Sequence, residues 1–487
     1  MTEHYDFGDV SLPSRRRFLQ QAGLGFGSLA LASLLQQESP GAALPTATQA
    51  DPLGLKATTL VPKAKRVIWL FMTGAPSQVD TWDYKPELQK RDGQTLAGAD
   101  PKTGFFTTSG KCLKSPFKWK QHGASGTWVS DLFPNLSKHV DDMTFIHSMH
   151  LRANNHAPAS MELMCGEDRP GLPSMGAWLS YGLGTMNQDL PSFVVMHGTR
   201  PRGDDQIWSS GFLPKSYQAL ALDARRNETI DNLTRIAAQT DAQQRSQLDL
   251  MRRMNMEHLR ERPTQADLSA RINSFELAYR MQMAAPEALD IAKETKATQD
   301  LYGVSDPDCA AFGRQCLIAR RLLERGVRFI QIFAGRGVGG DGSVNDVPWD
   351  GHSDIESNHR SCGKHVDRPC AALLADLKSR GMLEDTLVIW GGEFGRTSDS
   401  QGSKGRDHNP NGFTMWFAGG GMKRGHHHGS TDEFGYKAVT DKVHCNDLHA
   451  TLLHLLGIEH EKLTYRFNGR DYRLTGVAGN VIKSILA

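Results

Sequence analysis

The chain has 487 residues, 39% hydrophobic and 8% aromatic, enough for a large packed core and too apolar for wholesale disorder. Lys and Arg number 56 against 54 Asp and Glu, a formal charge of +2, so no phosphate-tracking basic surface is expected and nucleic acid is excluded as a partner. Beyond residue 50 no apolar run approaches the roughly 20 residues that a spanning helix needs, so the mature chain is expected to have no membrane span.

Residues 1–50 read as an export signal and linker. Ser14-Arg15-Arg16-Arg17-Phe18-Leu19 precedes a mildly apolar, Gly- and Ala-rich run from Ala22 to Leu35, and small residues and Pro follow up to Ala50. Paired arginines before such a run resemble a twin-arginine signal, which implies passage through that translocase as a folded protein and a periplasmic or secreted location. The remaining residues, 51–487, are expected to form one α/β domain. Seven cysteines without a CxxC pair exclude a zinc ribbon or thioredoxin motif. Cys309 with Cys316, or Cys362 with Cys370, has the spacing of a local disulfide, and buried free thiols are the equal alternative.

From residue 65 to about 195, β-rich runs such as 66–72 and 193–196 alternate with Gly/Pro loops and helical stretches, the texture of buried parallel strands. From about 217 to 298 a Gln-, Arg- and Met-rich composition with helical period replaces them, as in Leu248-Leu250-Met251-Met254 and Phe275-Leu277-Ala278-Met281. This zone is predicted to be a helical insertion whose methionines pack a core. From Cys309 onward the alternation returns, with strands predicted at 327–332, 386–390 and 414–418 and helices before the first two. The fold class that follows is α/β, a mainly parallel sheet flanked by helices.

Chemistry in such a sheet belongs at the carboxyl ends of the strands. The first strand runs into Thr73-Gly74-Ala75-Pro76-Ser77-Gln78-Val79-Asp80-Thr81-Trp82-Asp83. The 327–332 strand leads to Trp349-Asp350-Gly351-His352, and the 386–390 strand to Gly391-Gly392-Glu393-Phe394-Gly395-Arg396-Thr397 and then Arg406-Asp407-His408. Imidazoles and carboxylates delivered from separate strands are what a hydrolytic site needs to hold divalent ions. His426-His427-His428 is read as a solvated Gly-rich loop.

These segments together resemble the bacterial domain-of-unknown-function family numbered fifteen hundred and one, a divergent branch of the alkaline phosphatase and sulfatase superfamily, over about residues 60–480. The resemblance implies an alkaline-phosphatase-like fold, with Asp350, His352 and His408 on one metal ion. Asp80 and Glu393 fall on or near a second, although the His that usually follows the carboxylate is replaced by Phe394. It also implies a helix over 446–457 closing the core, its histidines in packing or surface roles. The superfamily nucleophile position, counted back from Gly166, is occupied by His156, so formylglycine cannot form there. His156 is left as a phosphohistidine-type nucleophile, a metal ligand or a helix cap, with Ser77 and Ser160 as alternative nucleophiles. Arg396 is expected either to clamp an anionic substrate or to pair with Asp407 or Glu393.

The function these readings imply is an exported, metal-dependent hydrolase of small phosphate or sulfate esters. The divalent ion would be Zn, Mn, Ca or Mg. A binding or scaffold protein that keeps the fold without catalysis is the competing expectation.

Overall fold

The computed structural model describes residues 53–487 except 97, 99, 101, 199–200, 224–239, 262–265, 335–336, 339–343 and 346. The segment read as an export signal, with Arg15 and Arg16, lies outside the described residues. The first strand, β1 (Arg66–Phe71), is an apolar run with five of six residues buried, and the short helix α1 (Gln78–Thr81) follows its carboxyl end. β2 (Met143–His150) leads into α2 (His156–Cys165), which stops at Gly166, where a φ of 82° favours a residue without Cβ. α3 (Met175–Leu183), β3 (Phe193–His197) and β4 (Leu220–Asp223) come next, then the helices α4 (Asp241–Glu261) and α5 (Ala266–Leu289). α6 (Ala310–Glu324), β5 (Phe329–Phe333), α7 (Ile355–Ser379) and β6 (Thr386–Gly391) restore the alternation. The two-residue strands β7 (Gly395–Arg396) and β8 (His408–Asn409) precede β9 (Phe413–Ala418), β10 (His426–His428), β11 (Val443–His444) and α8 (Cys445–Leu455).

Among the described residues, nine strands share one sheet in the order β10-β2-β9-β6-β1-β5-β3-β4, with β11 also on β2. All pairings are parallel except those of β9, which runs against both β6 and β2. The mainly parallel α/β sheet expected from the sequence is therefore present. Its central strands β1, β5 and β6 are mostly apolar because both faces are covered. Alternate residues of β1 enter opposite cores: Ile68 and Leu70 pack with Leu317 of α6 and Leu373 of α7, while Val67, Trp69 and Phe71 pack with Leu163 of α2, Trp178 of α3 and Leu452 of α8. Each large apolar side chain so buried contributes about 1.5–3 kcal/mol.

Several local expectations change. β2, an interior strand, carries Thr, His and Ser among its apolar residues, and these polar positions hide it from a hydropathy reading. His426–His428 is a strand rather than a free loop: His427 stacks on Phe145 and its Nδ1 lies 2.9 Å from His147 Nε2. In the helical insertion, Met281 of α5 is buried in the core, but Met251 and Met254 of α4 are exposed, so the methionine pattern there marks no core face. All seven cysteines are buried free thiols. His449 of α8 packs inside, bonded to the Leu163 carbonyl at 2.8 Å.

Candidate metal centre

The carboxyl ends of β1, β2, β5 and β6 and the amino end of the antiparallel β9 lie along one rim of the sheet, and the chemistry-bearing loops meet there. His156 opens α2 just after β2. Asp350 and His352 sit in the connection from β5 to α7, which is tied to the first strand's loop by Trp349 N donating to the Thr73 carbonyl at 3.1 Å. His408 comes from β8, paired directly across from Arg396 on β7.

One nitrogen of each of His156, His352 and His408 and one carboxylate oxygen of Asp350 lie within 4.8 Å of one another. His352 Nε2 is 2.8 Å and His408 Nε2 3.4 Å from Asp350 Oδ1. His156 Nε2 is 3.3 Å from the same oxygen without hydrogen-bond alignment. His352 Nε2 and His408 Nε2 are only 3.0 Å apart.

The other nitrogen of every ring faces an oxygen. His156 Nδ1 meets Glu393 Oε1 at 2.6 Å, His352 Nδ1 meets Gln401 Oε1 at 2.5 Å, and His408 Nδ1 meets the Asn154 carbonyl at 2.6 Å. These oxygens take the Nδ1 protons, so in the neutral rings the three Nε2 lone pairs point inward toward a carboxylate oxygen. Three inward imidazole nitrogens around one carboxylate form a ligand set suited to zinc. His156 Nε2 is buried without a hydrogen bond, as a ligand atom facing a cation is, while Asp350 Oδ1 already meets the Arg396 guanidinium at 2.6 Å.

The electrostatics agree. Burial works to raise the Asp350 carboxyl, but the Arg396 guanidinium at 2.6 Å and the three imidazoles hold it well below the usual carboxylate range. Burial holds His408 down to about 4, with Asp350 opposing, so this ring is neutral and able to ligate at neutral pH. For His156 burial acts to lower the pKa, and Asp350 and Glu393 outweigh it and raise it, so an ion must displace a proton there.

The residues expected from the sequence therefore separate. His156, Asp350, His352 and His408 converge, and Glu393 stands behind His156 while also accepting from Gly74 N at 2.9 Å. Asp80 does not join them. It forms a buried ion pair with Arg406, Nε to Oδ2 2.6 Å, and its Oδ2 also accepts from Ser77 Oγ at 2.5 Å. Arg396 is fully buried, and instead of pairing with Asp407 or Glu393 it binds Asp350, the Ala75 carbonyl at 3.0 Å and the Gly74 carbonyl. With those donors engaged, Arg396 positions Asp350 and the strand-end turn. The rim needs that turn tight: Ala75 has a φ of 66°, and a Cβ on Gly74 would lie 2.7 Å from the Val347 carbonyl oxygen. Ser77 and Ser160 are sealed from solvent, and the His156 ring turns to carboxylates rather than capping its helix. Sequence reading missed the Asn154 carbonyl and Gln401; a main-chain oxygen leaves no sequence signal.

A family model described as "Protein of unknown function (DUF1501)" matches residues 64–486. The chain belongs to that family. No curated protein matches this DUF1501 chain. Among solved structures it is similar to the lipoteichoic acid synthase LtaP from Listeria monocytogenes, at 10% identity and a TM-score of 0.36 over 88% of this chain and 79% of that one. It is similar to the PsFucS1 sulfatase from Pseudoalteromonas sp., at 14% identity and a TM-score of 0.36 over 82% and 68%. It is also similar to the alkaline phosphatase from the Antarctic bacterium TAB5, at 11% identity and a TM-score of 0.33 over 81% and 98%. Among the described residues no helix is long and apolar enough to cross a membrane.

Proposed function

We propose that this DUF1501 protein is an exported hydrolase of small phosphate or sulfate esters that works with a divalent ion on His156, Asp350, His352 and His408. The observation that carries the reading is the convergence of three imidazole Nε2 atoms on one carboxylate, each ring fixed from behind by an oxygen. Three nitrogen ligands favour zinc over the oxygen-seeking calcium and magnesium. When bound, the ion supplies positive charge that polarises the ester's phosphoryl or sulfuryl oxygen.

The chain's own residues do the rest. Glu393, Gln401 and the Asn154 carbonyl hold the Nδ1 protons and so the ring orientations, and Arg396 fixes Asp350. Asp350 and His352, with side chains 17% and 20% exposed, form the open side through which an anion enters. Ser77 and Ser160 are sealed and His156 is turned into the ligand set, so none of these three candidate nucleophiles faces that opening. The reading is therefore hydrolysis by water without a covalent enzyme intermediate. Export through the twin-arginine translocase is proposed from Ser14–Leu19 alone.

Protein purified without chelators is expected to carry about one ion per chain and to lose it on His352→Ala while staying folded, since one rim loop holds little of the core. Stripping the ion should abolish, and returning it restore, hydrolysis in a panel of phosphate mono- and diesters and sulfate esters. One observation favours the scaffold reading: four protein ligands fill a tetrahedral ion and leave no open position. A stoichiometric ion with no ester turned over would decide for it.

A further inference from the structure

Phe105 and Phe106 are 48% and 50% exposed. Single exposed apolar residues are ordinary, but two adjacent rings at the mouth of a charged site are not. Their centroids are 5.0 Å apart with the planes at 83°, so they form an open corner. Phe105 lies nearly parallel to the His408 ring, at 5.7 Å and 29°. Phe106 stands edge-on to His352, at 5.0 Å and 85°. The corner therefore rests on the two ligand rings beside the opening.

The strap that carries these rings is anchored to the groups that build the metal centre. Phe106 N donates to Asp407 Oδ2 at 2.6 Å, next to His408. Asn154, whose carbonyl orients His408, donates from Nδ2 to the Gly104 carbonyl at 3.0 Å. Ser109 N donates to the Ser400 carbonyl at 2.7 Å, beside the Gln401 that orients His352. A Cβ on Gly104 would strike the Asp407 carboxylate, so glycine lets the strap lie this close. Two phenylalanines held in water by such anchors need an apolar partner that arrives with the substrate.

We infer that Phe105 and Phe106 seat an aryl group carried by the anionic ester, so that this site prefers aryl to alkyl esters; the inference rests on the ion-binding reading above. Aromatic rings prefer offset and edge-to-face partners, and an open corner offers both to a third ring. The anionic end meets the ion and the imidazoles, and the ring meets the phenylalanines.

Calorimetric titration of the zinc-loaded protein with phenylphosphonate and methylphosphonate, which are not turned over, tests this. Phenylphosphonate is expected to bind about tenfold tighter. In the Phe105→Ala/Phe106→Ala protein that preference should shrink to within about twofold, with zinc content unchanged. If the alanine pair loses zinc, Phe105→Leu/Phe106→Leu takes its place, and its preference should fall at least about threefold. Equal binding of the two probes by the unsubstituted protein, or a preference that survives the substitutions, overturns the aryl wall and leaves the ion reading standing. Binding of neither probe by the zinc-loaded protein overturns both.

Discussion

Asp80 shows how far a single residue can be judged from its place in the chain. A carboxylate soon after the first strand has the position of a ligand, yet its charge is spent on Arg406, whose side chain is equally buried. Asp80→Asn leaves that guanidinium buried without its partner, so unfolding in urea should show a loss of about 3–5 kcal/mol. Metal per folded molecule should not change; loss of the ion at unaltered stability would return Asp80 to the ligand set. That Asp350, His352 and His408 come together was legible because each follows a readable strand and carries a ligand-type side chain. Arg406 was not, because nothing in a linear sequence says which of two nearby arginines turns toward the metal centre and which toward Asp80. Nor does the sequence show that Glu393 stands behind the His156 ring.

At the scale of elements, the centre depends on two rim loops zipped together. Arg406 N donates to the Gly351 carbonyl at 3.1 Å and Ile355 N to the Lys404 carbonyl at 3.0 Å, while Gln401 N donates to the Gly405 carbonyl at 2.8 Å within the second loop. Any Cβ on Gly405 would overlap the main-chain carbonyl of His352, which has no flexible end to move aside. Gly405→Ala should therefore part the loops and draw Gln401 away from His352, weakening ion binding by at least about tenfold. The urea midpoint of the metal-free protein should move far less, because the sheet and helices are untouched; equal damage to both would mean that the zip supports the fold. β1, β3, β5, β6 and β9 were legible as apolar runs. β2 was not, since Thr144, His147 and Ser148 interrupt its pattern, and β4 was hidden in a zone that reads as helical.

For the whole molecule, burial keeps three imidazoles neutral: His147 at about 4, His359 at about 3 and His449 at about 4. Their folded values lie below the ordinary 6.5, so the unfolded chain binds protons more readily. The stability they contribute is complete above about pH 6.5 and is lost as pH falls toward 4. His449→Gln keeps a donor for the Leu163 carbonyl and removes the titration. Between pH 7 and pH 5 the variant should lose less unfolding free energy than the parent, by on the order of 2 kcal/mol. Equal losses would show that His449 takes up its proton without unfolding. Comparing the two proteins cancels the protonation of the ion's ligands. The wide separation of those ligands along the chain also sets an order of events. His156 is brought near Asp350 and His408 only after β1 has found β5 and β6 and β9 has inserted beside β2, all pairings between distant segments. An ion cannot gather such ligands from an unfolded chain as it does in a small zinc-folded domain. On the proposed ion-binding reading, metal capture is the last act of assembly, and an occupied centre would certify that the sheet is already built.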